Sequence, residues 1–221
     1  MSIADKILIF YKELDLPGFL PEGVVAMNPY QDKYAMECCT AFYTKYYNDH
    51  SVRKLLLGIN PGRFGGGVTG IPFTDPIKLE EVCGIPNSFD KKSELSSTFI
   101  YEMIRSFGGP EPFYKRYYFS AVSPIGFIKN GKNLNYYNIR ELQEAWEPFM
   151  VNALRRQLVF CDNNEVFSIG MGRNVHYLSA LNKKYKLFGK VTALPHPRWV
   201  MQYRLKRKDE FIRMYINELV L

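Results

Sequence analysis

Cysteine and histidine are scarce in this 221-residue chain, with four of the first and three of the second. Cys38, Cys39, Cys83 and Cys161 form no C-x-x-C pair, and none has a histidine at metal-ligand spacing. That argues against a zinc site or an iron–sulfur cluster and predicts buried, reduced thiols. No metal and no organic cofactor is expected. Long apolar runs are also missing, which excludes a membrane-spanning helix. The first residues, Met1 to Lys6, lack the basic-then-apolar pattern of a secretory signal. The expectation is a soluble intracellular protein, cytoplasmic in a bacterium or nuclear in a eukaryote. Repeats, low-complexity segments and linkers are absent, so 1–221 reads as one domain, with 1–30 as an N-terminal helical extension.

What is present is an ordinary globular balance, 47% hydrophobic and 23% charged, long enough to bury a sizeable core. Lys and Arg outnumber Asp and Glu by 29 to 22, a net charge of +7 that favours a polyanionic partner. Sixteen Tyr and sixteen Phe supply packing surface.

Glycine is concentrated where it matters most. Leu55, Leu56, Leu57 and Ile59 form a short apolar run typical of a strand buried on both faces. Gly58, Asn60, Pro61 and Gly62 stop it, and Gly65, Gly66, Gly67 and Gly70 follow. Backbone without Cβ atoms can approach a ligand closely. Ligands bind beyond the carboxyl ends of strands in open α/β sheets, which makes Asn60 the first candidate working residue.

Along the chain, helical spacing covers 2–15, capped by Ser2, and 33–48; 17–31 reads as irregular. After the glycine stretch, 75–95 is loop with a short helix. Ser96 or Ser97 opens a helix through Phe107, ended by Gly108. A second strand spans 115–122 and ends at Ser123-Pro124. Asn130-Gly131-Lys132-Asn133 is a turn. Asn138 caps a helix that Pro148 should kink or restart. A third strand, 165–169, ends in Gly170-Met171-Gly172-Arg173. A helix then runs to about Tyr185. The fourth strand, 187–194, ends in Pro195-His196-Pro197-Arg198. A final helix carries Phe211, Ile212, Tyr215, Ile216 and Leu219. Strand–helix alternation with breakers at each carboxyl end predicts a three-layer α/β/α sandwich on a mostly parallel four-stranded sheet. Asn60 and His196 then converge on one rim of that sheet.

Gly58-Ile59-Asn60-Pro61-Gly62, then Phe64-Gly65, then Thr69-Gly70-Ile71-Pro72-Phe73, resembles the first motif of the uracil-DNA glycosylase superfamily. It is most similar to the single-strand-selective monofunctional (SMUG) branch, with its Gly-x-Asn-Pro-Gly-x-Phe-Gly opening. His196-Pro197-Arg198 resembles that branch's second motif, and Gly170-x-Gly172-Arg173 a stretch between the two. The resemblance spans roughly 29–218 and implies the fold of that superfamily. The mismatch-specific uracil/thymine branch shares Gly-Ile-Asn-Pro-Gly but opens its second motif with Asn-Pro-Ser, where this chain has His-Pro.

The resemblance implies a DNA repair enzyme that flips uracil out of the stack and hydrolyses its N-glycosidic bond. Other damaged bases extend the expected range. Asn60 would position the attacking water, and His196 would donate a hydrogen bond to the uracil oxygen where charge develops. Gly62 and Phe64 would line the pocket and Phe73 would stack on the base. Arg198 would push into the gap left by the base, with Trp199 or Met201 sharing the wedge. Arg204, Lys206, Arg207 and Lys208 would neutralise phosphates. No lysine lies in either motif, so a monofunctional reaction leaving an abasic site is expected. The partner is uracil-containing DNA, single- or double-stranded, and the enzyme is expected to be a monomer. One departure stands out. The superfamily reads the uracil edge with an Asn where this chain has Ala121, leaving Ser120 or Ser123 as hydroxyl substitutes.

Other readings use the same residues. A non-catalytic DNA-binding module would bind DNA and release no base. An enzyme of free nucleotides would use the glycines as a phosphate cradle, although neither G-x-x-x-x-G-K-[ST] nor G-x-G-x-x-G is present.

Overall fold

The computed structural model describes residues 1–220. Its seven strands are β1 (Val24–Met27), β2 (Arg53–Gly58), β3 (Tyr117–Ala121), β4 (Gly126–Lys129), β5 (Lys132–Leu134), β6 (Cys161–Ile169) and β7 (Lys190–Leu194). Four of them form the expected parallel sheet, in the order β3-β2-β6-β7. Leu55, Leu56 and Leu57 are fully buried, as their unbroken apolar run requires of a central strand. Helices flank the sheet. Ile3–Lys12, Lys33–Tyr47 and Arg140–Leu158 pack together, and so do Leu95–Phe107, Pro197–Tyr203 and Lys208–Val220. All four cysteines are free and buried. Among the described residues, no helix is long and apolar enough to cross a membrane.

The register brings the strand ends level. Gly58 lies opposite Ala121, and Ile169 opposite Leu194. The chain leaves β2 for β3 on one side, then crosses to β6 on the other. That reversal opens a crevice at the carboxyl rim, beside the segments that carry Asn60, Gly170 and His196.

Local signals set most of the boundaries. Ser2 and Asp5 form a reciprocal capping box at the first helix. Gly108 takes the left-handed conformation that ends Leu95–Phe107.

Four expectations need correction. The stretch read as irregular contains β1, which pairs antiparallel with β4, and β4 pairs with β5 across the Asn130-Gly131 turn. This second, three-stranded sheet is absent from the sequence reading. Asn138 does not cap the long helix. Its side chain accepts from the backbone of Asn135 and closes the short turn Tyr136–Asn138, and Ile139 precedes the helix with no side-chain cap. Pro148 does not restart the helix, which runs unbroken from Arg140 to Leu158. The proline sits on the exposed face, where the carbonyl it leaves unpaired can turn to water. The helix assigned to Ser96 or Ser97 starts at Leu95, preceded by Glu94.

Candidate active site

Asn60 stands two residues beyond β2, where the strand's own hydrogen bonds have run out. Its amide is held on both sides by the second sheet. Nδ2 donates to the Leu134 carbonyl at 3.2 Å, and Oδ1 accepts from the Tyr136 N–H at 3.1 Å. The amide orientation is therefore fixed, and one lone pair of Oδ1 is left over. The support continues inward. The buried Tyr136 hydroxyl donates to Asn174 Oδ1 at 2.8 Å, and Asn174 Nδ2 donates to Ser168 Oγ on β6 at 3.3 Å.

His196 follows β7 and caps the helix Pro197–Tyr203. Its Nδ1 accepts from the Arg198 N–H at 3.2 Å, so the neutral ring carries its proton on Nε2. Burial, then the nearby Arg198 charge, lowers the imidazole pKa to about 4. At neutral pH this side chain is an uncharged donor. The loop before it is fastened from outside by the buried Tyr215, whose hydroxyl donates to the Pro195 carbonyl.

Between them lies a cleft of about 1060 Å³, lined by Asn60, Gly62, Phe64, Phe73, Ala121 and His196 among others. That is room for an extruded nucleotide. Phe73 lines the wall, its ring tilted against that of Phe119 with 5.2 Å between centroids. A Cβ on Gly58 would lie 2.8 Å from the Phe73 ring, so the glycine makes the seat. Phe73 pays for this place with a positive φ of 57°, a backbone state that side-chain-bearing residues rarely adopt.

The match to known proteins now has a geometry to attach to. The family model for the uracil DNA glycosylase superfamily matches residues 44–220. The chain belongs to the uracil DNA glycosylase superfamily. It is similar to the crystal structure of wild-type SMUG2 from Pedobacter heparinus, with 45% identity and a TM-score of 0.95 over 99% of this chain and 97% of that one. No curated protein matches.

Of the residues that the superfamily motifs single out, Asn60, Gly62, Phe64, Phe73, Ser120, His196, Arg198 and Trp199 share the cleft. Ser123 does not. It is fully buried, and its Oγ donates to the Ile125 carbonyl at 2.8 Å. Ser120 lies in the wall, but its Oγ is enclosed and has no partner. Neither hydroxyl presents itself at the cleft surface, and Ala121 has no polar atom beyond its backbone.

The basic residues after His196 divide into two sets. Arg198 and Trp199 are exposed at the mouth, and the Arg204 guanidinium stacks 5.0 Å over the Trp199 ring. Lys206, Arg207 and Lys208 lie beyond the cleft. Arg207 pairs with Glu210 at 2.8 Å and Lys208 with Glu102 at 2.5 Å, so two of the four expected phosphate cations have carboxylate partners in the free protein.

Sequence reasoning missed four contributors. Leu134 and Tyr136 act through backbone atoms, which leave no mark on residue type. Arg63 extends the basic rim. Its guanidinium lies 4.4 Å over Phe64 and bonds the Gly131 carbonyl, while its N–H donates to Asn133 Oδ1 at 3.0 Å. The fourth is Glu94, the one carboxylic acid among the described residues that line the cleft. Burial, then the adjacent Asp75 charge, raises its pKa to about 7, and Arg198 only partly offsets this.

Proposed function

We propose that this superfamily member is a monofunctional DNA glycosylase that extrudes uracil and hydrolyses its N-glycosidic bond, leaving an abasic site. The observation that carries the reading is the convergence of a fixed amide, Asn60, and a neutral Nε2–H donor, His196, on one cleft.

In this reading water attacks C1′ of the deoxyribose as the C1′–N1 bond breaks, and the bonding electron pair leaves with the base. The free lone pair of Asn60 Oδ1 accepts a hydrogen bond from the water and aims it. An amide does not take up the proton of the attacking water, which passes to solvent, where the released anionic base is protonated in turn; the contribution of Asn60 is position. The His196 Nε2–H donates to the base oxygen where negative charge collects. A neutral donor suits this step, because its hydrogen bond strengthens as the charge grows. Phe73 supplies the stacking face. Arg198 and Trp199 at the mouth fill the space the nucleotide vacates. Arg204 and Lys206 meet phosphates first. Arg207 and Lys208 exchange their carboxylate partners for the backbone of the DNA.

The test is alkali-revealed cleavage of an oligonucleotide with one uracil, single-stranded and opposite G or A, together with borohydride trapping. Base release with no trapped adduct is expected. Lys132 at the rim is the amine to examine if an adduct forms. DNA binding without release from any deaminated base would select the binding-module reading instead.

A further inference from the structure

The wall where the superfamily places an amide to read the base carries none here. Ala121 is apolar at that point, Ser120 Oγ is enclosed, and Ser123 Oγ is engaged with Ile125. A polar group of another kind lines the same cleft. The Glu94 carboxyl lies against the glycine loop so tightly that a Cβ on Gly62 would come 2.5 Å from its Oε1, and one on Gly65 would come closer still to its Oε2. Two glycines of the loop therefore make room for a carboxyl rather than for the ligand itself.

The seat of Glu94 is built from elsewhere. Asp75 caps the helix Pro76–Glu81 with Oδ1, which accepts from Lys78 N–H at 2.8 Å. Its Oδ2 accepts from the Glu94 N–H at 3.0 Å. The exit of the glycine stretch is thereby tied to the start of Leu95–Phe107. The carboxyl itself makes no hydrogen bond among the described residues; burial and the charges of Asp75 and Arg198 set its state. A carboxyl delivered into a cleft and left without a partner is available to a ligand.

We propose that Glu94 reads the flipped base, its carboxyl donating a hydrogen bond to a ring carbonyl of uracil or another deaminated base. The inference rests on the glycosylase reading. Donation requires the protonated acid, and the site favours it. Asp75 lies on one side as a like charge. Arg198 is outside ion-pair distance on the other, and Arg63 turns its guanidinium to Gly131 and Phe64. His196, across the cleft, is uncharged. Chemistry favours the neutral form as well. A carboxylate beside a departing anionic base would oppose the charge that develops there, whereas a carboxyl O–H stabilises it. Donation to the 4-carbonyl favours uracil over cytosine, whose amino group at that position cannot accept the O–H.

The experiment is single-turnover release of uracil from pH 5.5 to 9 by the wild type, Glu94→Gln and Glu94→Ala, with folding checked by circular dichroism. His196 is neutral across that window. The wild-type rate should fall towards tenfold per pH unit above about pH 7 as the donor is lost. Glu94→Gln keeps an N–H donor at every pH, so its profile should be flat and its rate at pH 6 within about tenfold of the wild type. Glu94→Ala should also be flat but at least tenfold slower at pH 6. A wild-type rate that rises through pH 7, with an inactive Glu94→Gln, would overturn the proposal and make Glu94 the acceptor of the water's proton. Three indistinguishable profiles would remove Glu94 from the reaction and leave the glycosylase reading intact. A wild type that releases no deaminated base would sink both.

Discussion

Asn60 takes its orientation from residues 74 and 76 positions further along the chain, whereas His196 takes its own from a residue two positions on. The amide is set by tertiary structure, because the antiparallel sheet must form and dock before Leu134 and Tyr136 can grip it. The imidazole is set by the helix that begins beside it. The same N–H that orients the ring also fixes its tautomer, and burial keeps it uncharged. In the proposed reaction, the group that aims water is braced over a long range, and the group that donates from one nitrogen is braced locally. The two seats should therefore fail differently.

The largest effect is expected at Asn60. Asn60→Ala removes the oxygen proposed to aim the water and should slow single-turnover uracil release about 10³-fold, with DNA affinity little changed. Next comes His196→Ala, expected to cost about 10² to 10³ in the same assay, the range found when one donor to a developing anion is lost. The intact histidine sharpens the comparison through pH. Its pKa falls from 6.5 unfolded to about 4 folded, so the neutral ring favours the folded state fully above pH 6.5, and that contribution is lost as pH falls through about 4. Base release should therefore show no loss through His196 between pH 7 and 5.5, whereas a histidine of ordinary pKa would titrate there. Tyr136→Phe is the mildest change. It keeps the N–H that holds Asn60 but removes the hydroxyl that braces Asn174. A loss of about 1 kcal/mol in denaturant unfolding and less than a tenfold drop in rate are expected. A collapse of activity comparable to Asn60→Ala would show that the long-range seat depends on the whole network.

The same contrast explains what could be read from the sequence. The four parallel strands announce themselves at their carboxyl ends, since each carries apolar residues shortly before a glycine or proline, although β6 starts well ahead of its apolar part, at Cys161. His196 and Asn60 were visible because both sit on those breakers. The antiparallel sheet was not. β1 and β4 have four residues each, too short to show a period, and they pair across about a hundred residues of chain. Glu94 was silent for a related reason. It belongs to no motif, and what makes it notable is the pair of glycines about thirty positions earlier that leave its carboxyl a place. Ser123 was misjudged in the opposite sense. It sits at the right breaker, but its hydroxyl is spent on Ile125 within its own turn. Sequence reveals where a side chain leaves the sheet, and packing decides whether it faces the cleft.

The hydroxyl of Tyr215 on the Pro195 carbonyl links the helix Lys208–Val220 to the loop that presents His196. That helix is a splint for the candidate site as well as part of the outer layer. Heating that frays it would release the loop while the parallel sheet is still intact. The temperature at which turnover declines should then lie below the temperature at which the sheet melts. Substitutions on the buried side of that helix would narrow the temperature range of the proposed base release before they shortened the lifetime of the folded protein.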